Sequence, residues 1–567
     1  MSDITLTNIN SGYNLGKINE NFTEIARVVN QELAHTVGDN NIMSQTLDLN
    51  GYRILNLPAP SYPTDVVRLQ DLIAANGPIE PLSASIKDYG AVGDAVYQYN
   101  NDGSVSVLSG ANDTQPLLDA MADFADGTIT SLYVPEGNYW IDSSQIDCPS
   151  NTTIVGAGQN ASKFIMSTTT PNLNLFVGFY EGARVSNLSF GGFSVIGSKV
   201  DDNTIGGTGI FTFGTTGVYI TDVSSEGSKG LAWLGNDNVD GGRKFGTKDA
   251  YLNNLRVDDC KLFSVYIRGN ENPDAAALPE NDTNNINVNG LIVRGSNVGF
   301  VIAEGLPFNI RVLNYDCQDT DNLLQIESCY NVHINNFHIS GATSQWSAAT
   351  PAPFKLQWQI AGSSNIHFTN GYIDSELQAF AFPLNNRGCK NVTFDSVTTG
   401  GVTRFTTLNV QTGTDTNKNM FSSWSFSKCS FPRDGNTFFQ TPASIPLSRP
   451  VAYWRDWSFS DCTWENDSTT DPFSLIACVG SLVFDNKCVF NGKPPRFLRG
   501  QKVTFDATVR ANGIAGTSIQ FIAVDDVDST DQTVLRIGGN FQIEGEVSDT
   551  GFDVVHDNGT YDSRNQS

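Results

Sequence analysis

The chain has 567 residues, of which 17% are charged, and 60 acidic against 34 basic side chains leave a formal net charge of −26. An acidic surface with no basic run or stripe excludes nucleic acid and anionic membrane as expected partners, and no apolar run reaches the roughly 18 residues that suggest a membrane span. The abundance of Gly, Asn, Ser and Thr favours strands and turns over helices.

No basic stretch precedes an apolar segment at the start of the chain, so no signal peptide is expected. Residues 12–34 read as a helix, with Leu15, Ile18, Phe22, Ile25, Val29 and Leu33 on one stripe. That spacing fits a self-associating seam and a helix lying on its own domain equally well. Next, "LDLNGYRILNLPAPSYPTDVVRLQDLIA" (47–74) holds an Asn-Gly turn between two short strands, a Pro-rich linker and a short helix. Residues 75–84 look like a second linker. Then come "SIKDYGAVGD" (85–94), the insertion "AVYQYNNDGSVSVLSGA" (95–111), an amphipathic helix at Gln115–Ala125, and "SLYVPEGNYWI" (131–141). Asp113 or Thr114 is the expected N-cap of that helix.

From about residue 183 a pattern recurs: apolar, any, apolar, any, turn residue, apolar, any, apolar. Copies start at 183, 218, 250, 286, 310, 332, 366, 392, 424, 457, 482, 503 and 541, in steps of 21 to 38 residues. The turn slot holds Asn187, Asp222, Asn254, Gly290, Asn314, Asn336, Asn370, Ser396, Lys428, Asp461, Asn486, Ala507 and Gly545. Asn, Asp and Gly tolerate the left-handed backbone that a one-residue bend requires. Alternation on both sides of the bend means short strands with one buried face. About 22 residues with three short strands make one coil of a parallel β-helix, each coil bonding to the next over a shared apolar column. Longer steps then become corner insertions. A β-sandwich is the rival, but it does not explain a turn residue held in one slot. The column's first coil exposes a raw sheet edge, and the helix at 115–125 is placed to cap it.

Nine cysteines, none in a CxxC, read as buried thiols, notably Cys260, Cys317, Cys429 and Cys462. The five histidines have no metal spacing, and His333 and His338 on strands would not converge. Neither a metal nor another cofactor is expected.

The segments "IKDYGAVGD" (86–94), "NDT" (112–114), "VPEGNY" (134–139) and "IVGAGQNASKF" (154–164) resemble the opening of pectate-lyase-like β-helix proteins. The front segment resembles the particle-binding end of bacteriophage tailspikes and fibres. The insertion at 95–111 is longer than that family usually has there and reads as an extra hairpin. The likeness covers roughly residues 1–165, and the repeat carries it to about 500. Together these imply a mainly β protein: a single-stranded right-handed parallel β-helix at 81–510, a small α/β virion-attachment segment at 1–80, and a short β-rich C-terminal segment at 511–567 that would stabilise a trimer. The resemblance further implies a homotrimer in the virion tail, made in the host cytoplasm and joined to a tail or adaptor protein through its N-terminus. It implies binding and depolymerisation of a bacterial surface polysaccharide, capsule or O-antigen, without membrane insertion. It carries no catalytic residues over, because such scaffolds vary the site.

Candidate residues come from the third strand of each coil, about eight residues past the turn slot. Its outward positions include Val301, Ala303, Gln325, Glu327, Lys355, Gln357 and Gln359, with Glu304 at a strand end. Preceding copies add Trp233, Tyr266 and Arg268. Rings stack on sugars, amides bond hydroxyls, and paired carboxylates protonate and attack. Coils about 4.8 Å apart would put Glu304 near Glu327 at a retaining spacing, with Glu376 farther off at an inverting one. Asp237, with Asp240 and Asp249, would close over the groove from a Gly-rich loop. The expected catalytic set is therefore Glu327, Glu304, Glu376 and Asp237, and the binding set Trp233, Tyr266, Arg268, Gln325, Lys355 and Gln357. Hydrolysis is favoured. The alternatives are a lyase using Tyr266, Arg268, Lys355 or the Arg243–Lys244 pair on a uronate, and a fibre that only adheres.

Overall fold

The computed structural model describes Thr23 and, from Ser83 to Asp557, the strands and many of the bends between them; segments such as 200–206, 236–245, 270–282, 342–353 and 409–420 are among those left out. The chain divides into two compact units, Met1–Glu80 and Pro81–Ser567. Of the helix expected at 12–34 only Thr23 is described, and it is helical; the elements expected at 47–74 lie outside the described residues. Of the second expected linker, Ser83 and Ala84 are strand residues, in parallel register with Ser131 and Leu132.

The second unit is a parallel β-helix. Eleven-residue strands at Ser186–Ile196, Thr216–Glu226, Lys248–Asp258, Asn284–Arg294, Phe308–Gln318 and Tyr330–Ser340 pair in parallel, each with the next. A second parallel sheet runs from Ile146–Asp147 to Phe439–Gln440 and contains one short strand per coil. Its crossovers take the right hand that twisted parallel strands impose.

The one-residue bends explain how a single long strand turns a corner. Asp222, Asn254, Asn314, Asn336, Asn370, Ser396, Lys428 and Asp461 all have φ between 51° and 57°. Two other columns of bends have the same sign, one through Asp249, Asn285, Asn309 and Asn331, the other through Asp259 and Asp319. The Asn side chains also bond along the column: Asn331 donates to Asn309 at 2.5 Å, Asn309 to Asn285 at 3.2 Å, and Asn336 to Asn314 at 2.5 Å.

The repeat's phase needs two corrections. Val218 pairs with Leu188, so the first copy starts five residues after 183 and its bend is Gly192, φ 68°. Asn187 is left-handed too, but it belongs to the neighbouring column of bends. In the copy at 482 the bend is Lys487, φ 70°, one residue past Asn486, because the register steps from Ser460 opposite Asp485 to Thr463 opposite Val489 and so places one extra residue at this corner. Ala507 and Gly545 lie outside the described residues. Parallel pairing also continues past 510: Lys502–Phe505 pairs with Val534–Gly538, and that strand with Asp553–Asp557.

Inside, like residues stack on like. Phe394, Phe426, Phe459 and Phe484 form a near-parallel stack with ring centroids 4.7–5.0 Å apart, and Trp424 lies over Trp457 at 4.8 Å. These distances are the strand spacing; the register itself lines the rings up and takes their area from water. Cys260, Cys317, Cys429 and Cys462 are buried free thiols.

At the front, the helix Thr114–Ala125 buries Leu117, Ala120, Met121 and Phe124 over the first coil. Asp113 occupies its N-cap but does not cap it. The buried carboxylate instead accepts from Val92 N at 2.6 Å and Gly93 N at 3.2 Å, which ties "GAVGD" to the helix. The insertion folds as an antiparallel hairpin, Val96–Tyr99 with Val105–Ser109. Val105 packs on Ile165 and Ile196, and Lys199 lies over the Tyr99 ring while bridging Glu226 and Asp259 at 2.8 Å each.

Candidate functional site

The third-strand wall is in the register the alternation requires. Trp233, Tyr266, Val301, Gln325 and Lys355 are successive partners in one lateral row. Arg268 pairs with Ala303, and Glu327 with Gln357, in the next row on the same face. The register therefore brings seven of the candidates together, and Glu327 follows Ile326, the partner of Ile302. Continued by one residue, that register puts Ala303 beside Glu327.

The wall is not open over its first coils. Tyr266 is 5% exposed, Val301 1% and Gln325 8%. Tyr266, Val298, Val301 and Ala303 form an apolar cluster against which Trp233 and Phe263 pack. The Trp233 indole meets the Tyr266 ring edge-on at 5.6 Å and donates to the Phe263 carbonyl at 3.3 Å. Tyr266 and Gln325 are therefore not surface contacts, and Trp233 is held by protein. Alternation identifies the residues that leave the column, but outward apolar residues still bury one another when they meet. Arg268 is half-buried. Of Glu327, Lys355 and Gln357 only the backbone is described, in the strands Asn322–Glu327 and Phe354–Gln357. Glu304, Glu376 and Asp237 lie outside the described residues, as do Asp240, Arg243 and Lys244. Asp249 does not belong to a closing loop: it is a bend residue, φ 53°, whose carboxylate accepts from Asn285 Nδ2 at 3.0 Å.

An open groove of about 730 Å3 lies elsewhere, along the column of bends through Asn314, Asn336 and Asn370. Three coils supply their bend residue and the next two: Asn314, Tyr315 and Asp316; Asn336, Phe337 and His338; Asn370, Gly371 and Tyr372; the coils on either side add Gly290 and Ile292, and Ser396. The middle residue of each trio points inward. Tyr315 and Phe337 are buried there, while Gly371 leaves a gap that the Phe337 ring fills. The third residue points outward, and parallel register aligns Asp316, His338 and Tyr372.

Polar contacts fix this row. Asp316 Oδ1 lies 3.1 Å from His338 Nδ1 and accepts from Gln318 Nε2 at 3.1 Å, while Asp316 Oδ2 accepts from Arg294 Nη2. A carboxylate only accepts, so the imidazole donates through Nδ1. Arg294 Nη1 donates to the carbonyls of Val293 at 2.8 Å and Asp316 at 3.1 Å. Burial alone would raise the Asp316 carboxyl. The hydrogen bond and charge of Arg294, with Gln318 and His338, outweigh it and hold Asp316 below its usual range. The His338 and Tyr372 rings are 5.5 Å apart, and Tyr372 is 38% exposed.

The groove residues were missed because each stands alone in the sequence. A signal existed: two residues past the turn slot, successive copies read Arg256, Ile292, Asp316, His338, Tyr372 and Thr398.

No family model matches this sequence, and no curated protein matches it. Among solved structures, the Streptococcus pneumoniae surface protein and adhesin PfbA is similar over 84% of this chain and 99% of its own, at 12% identity and a TM-score of 0.43. The A-module of the Azotobacter vinelandii mannuronan C-5 epimerase AlgE4 is similar over 83% and 99%, at 12% identity and a TM-score of 0.36. The pre-mature bacteriophage phi29 gene product 12 is similar over 86% and 76%, at 12% identity and a TM-score of 0.41. Likeness at this level passes no residue role to this chain.

Proposed function

We propose that this protein is a depolymerase of the tailspike type. It acts as a virion-attached homotrimer that binds a bacterial surface polysaccharide on the outside of its β-helix and cuts it by glycosidic hydrolysis. The observation that carries the reading is the open groove that crosses successive coils, lined by Asn314, Asn336, Asn370, Asp316, His338 and Tyr372. A polymer of repeating sugars needs a long, shallow, polar surface with an aromatic ring and paired donors and acceptors, which a strand stack supplies at each coil. The likeness of residues 86–164 to pectate-lyase-like openings supports the same reading.

Hydrolysis requires two carboxylates. The one carboxylate of the described groove lining, Asp316, is held ionised by Arg294. We therefore assign the cleaving pair outside this groove, to Glu327 of the third-strand wall with a partner from Glu304, Glu376 or Asp237. The engagement of Asp316 favours one second reading, a fibre that binds without cutting.

Incubation with purified capsular and O-antigen polysaccharides, followed by mass spectrometry of the products, tests the assignment. Hydrolysis adds one water per cut and leaves no double bond. Unsaturated ends would instead establish elimination, and a capsule bound at unchanged chain length would establish adhesion alone.

A further inference from the structure

We infer that the bend groove takes an uncharged glycan segment, one bearing hydroxyl and acetamido groups, and not a polyanionic one. This rests on the reading of the protein as a polysaccharide binder and adds the class of sugar. The charges at the groove cancel. Arg294 supplies a cation, but Asp316 engages its Nη2 while its Nη1 donates to two backbone carbonyls. No Lys or Arg stands among the described lining residues. An anionic polymer would also approach against the field of a chain carrying 60 acidic and 34 basic residues.

The hydrogen-bonding character of the lining agrees. Asn336 spends one amide hydrogen on Asn314, and Asn370 spends one on Asn335. Each amide keeps a second hydrogen and carbonyl lone pairs. Repeated at successive coils, these groups present donors and acceptors together, as do sugar hydroxyls and acetamido groups. A carboxylate or sulfate on the ligand would present acceptors only and would meet no unengaged cation in the described lining. Tyr372 stands beside His338 with its ring partly in solvent, where it can cover the apolar face of one sugar ring.

The test measures binding of the full chain to purified bacterial polysaccharides, neutral ones against uronate- or sialate-bearing ones. It is run at about pH 8, above the ordinary imidazole range, on wild type, Tyr372→Ala, Tyr372→Phe and Asn336→Leu. Only neutral polymers should bind, with affinity changing by less than about twofold between roughly 0.05 and 0.5 M salt. Tyr372→Ala should weaken binding by about three- to tenfold, and Tyr372→Phe should restore most of it. Melting curves show whether each variant is folded. An acidic polymer that binds and is lost in Tyr372→Ala overturns this inference and leaves the polysaccharide-binding reading standing. A neutral polymer that binds equally well to Tyr372→Ala and Asn336→Leu overturns the assignment to this groove. If wild type binds no polymer in a panel of both classes, the underlying reading falls and this inference with it.

Discussion

Replacing Gly371 with Ala tests the packing beneath the groove. Tyr315, Phe337, Gly371 and Val397 are successive partners in one inward row. The space a side chain would fill at Gly371 is taken by the Phe337 ring, so a Cβ there would overlap the ring carbons Cζ, Cε1 and Cε2. Gly371 does not have positive φ, so backbone strain plays no part in the substitution. Phe337 is buried and packs edge-on against Phe368 at 6.0 Å. It must either leave its rotamer or rise into the groove, an overpacking cost of about 1–3 kcal/mol. Phe337→Leu removes the overlapping atoms and by itself should cost about 1 kcal/mol, from lost ring contacts. The double variant Gly371→Ala/Phe337→Leu should therefore be more stable than the sum of the singles by about 1–2 kcal/mol. Urea unfolding monitored by tryptophan fluorescence measures all four corners of this cycle. A Gly371→Ala protein as stable as wild type, or a double variant at the simple sum, would refute the packing described here.

Asp113→Ala strands two amides, Val92 N and Gly93 N, and should cost about 2–6 kcal/mol in chemical unfolding, at roughly 1–3 kcal/mol per unsatisfied donor. His333 and His367 stack at 4.5 Å; burial lowers both imidazoles, and for His333 so do His367 and Arg311. Because the folded values lie below the unfolded ones, their contribution is complete above about pH 6.5 and is lost as pH falls through the folded values; His333→Gln should flatten that part of the stability–pH curve. The Asp316 carboxyl is likewise depressed, so its contribution is present above the unfolded value near 3.9 and disappears at lower pH. Asp316→Asn should remove that acid limb while leaving the histidine limb in place.

Much of the architecture was legible because a β-helix repeats one physical constraint. A left-handed bend admits few residue types, so Asn314, Asn336 and Asn370 stood out and set the phase of their coils. Phase was lost where that signal was ambiguous: Asn187 and Gly192 are both left-handed, but they occupy different bend columns. Lys487 bends although nothing in its residue type announces it. The wall was harder to read, because alternation identifies direction and not exposure. Val301 and Ala303 point away from the column and are buried all the same. The groove was hardest: Asp316, His338 and Tyr372 meet only through register, across steps of 22 and 34 residues.

The account stands on a sugar chain lying across the coils at the column of bends through Asn314, Asn336 and Asn370. Hydrogen–deuterium exchange of the full chain, with and without a polysaccharide it binds, tests this most directly. The account expects slowed exchange in 314–316, 336–338 and 370–372 together, three segments far apart in sequence. Protection confined to 230–235 and 263–268, or to a single one of the three segments, would contradict it.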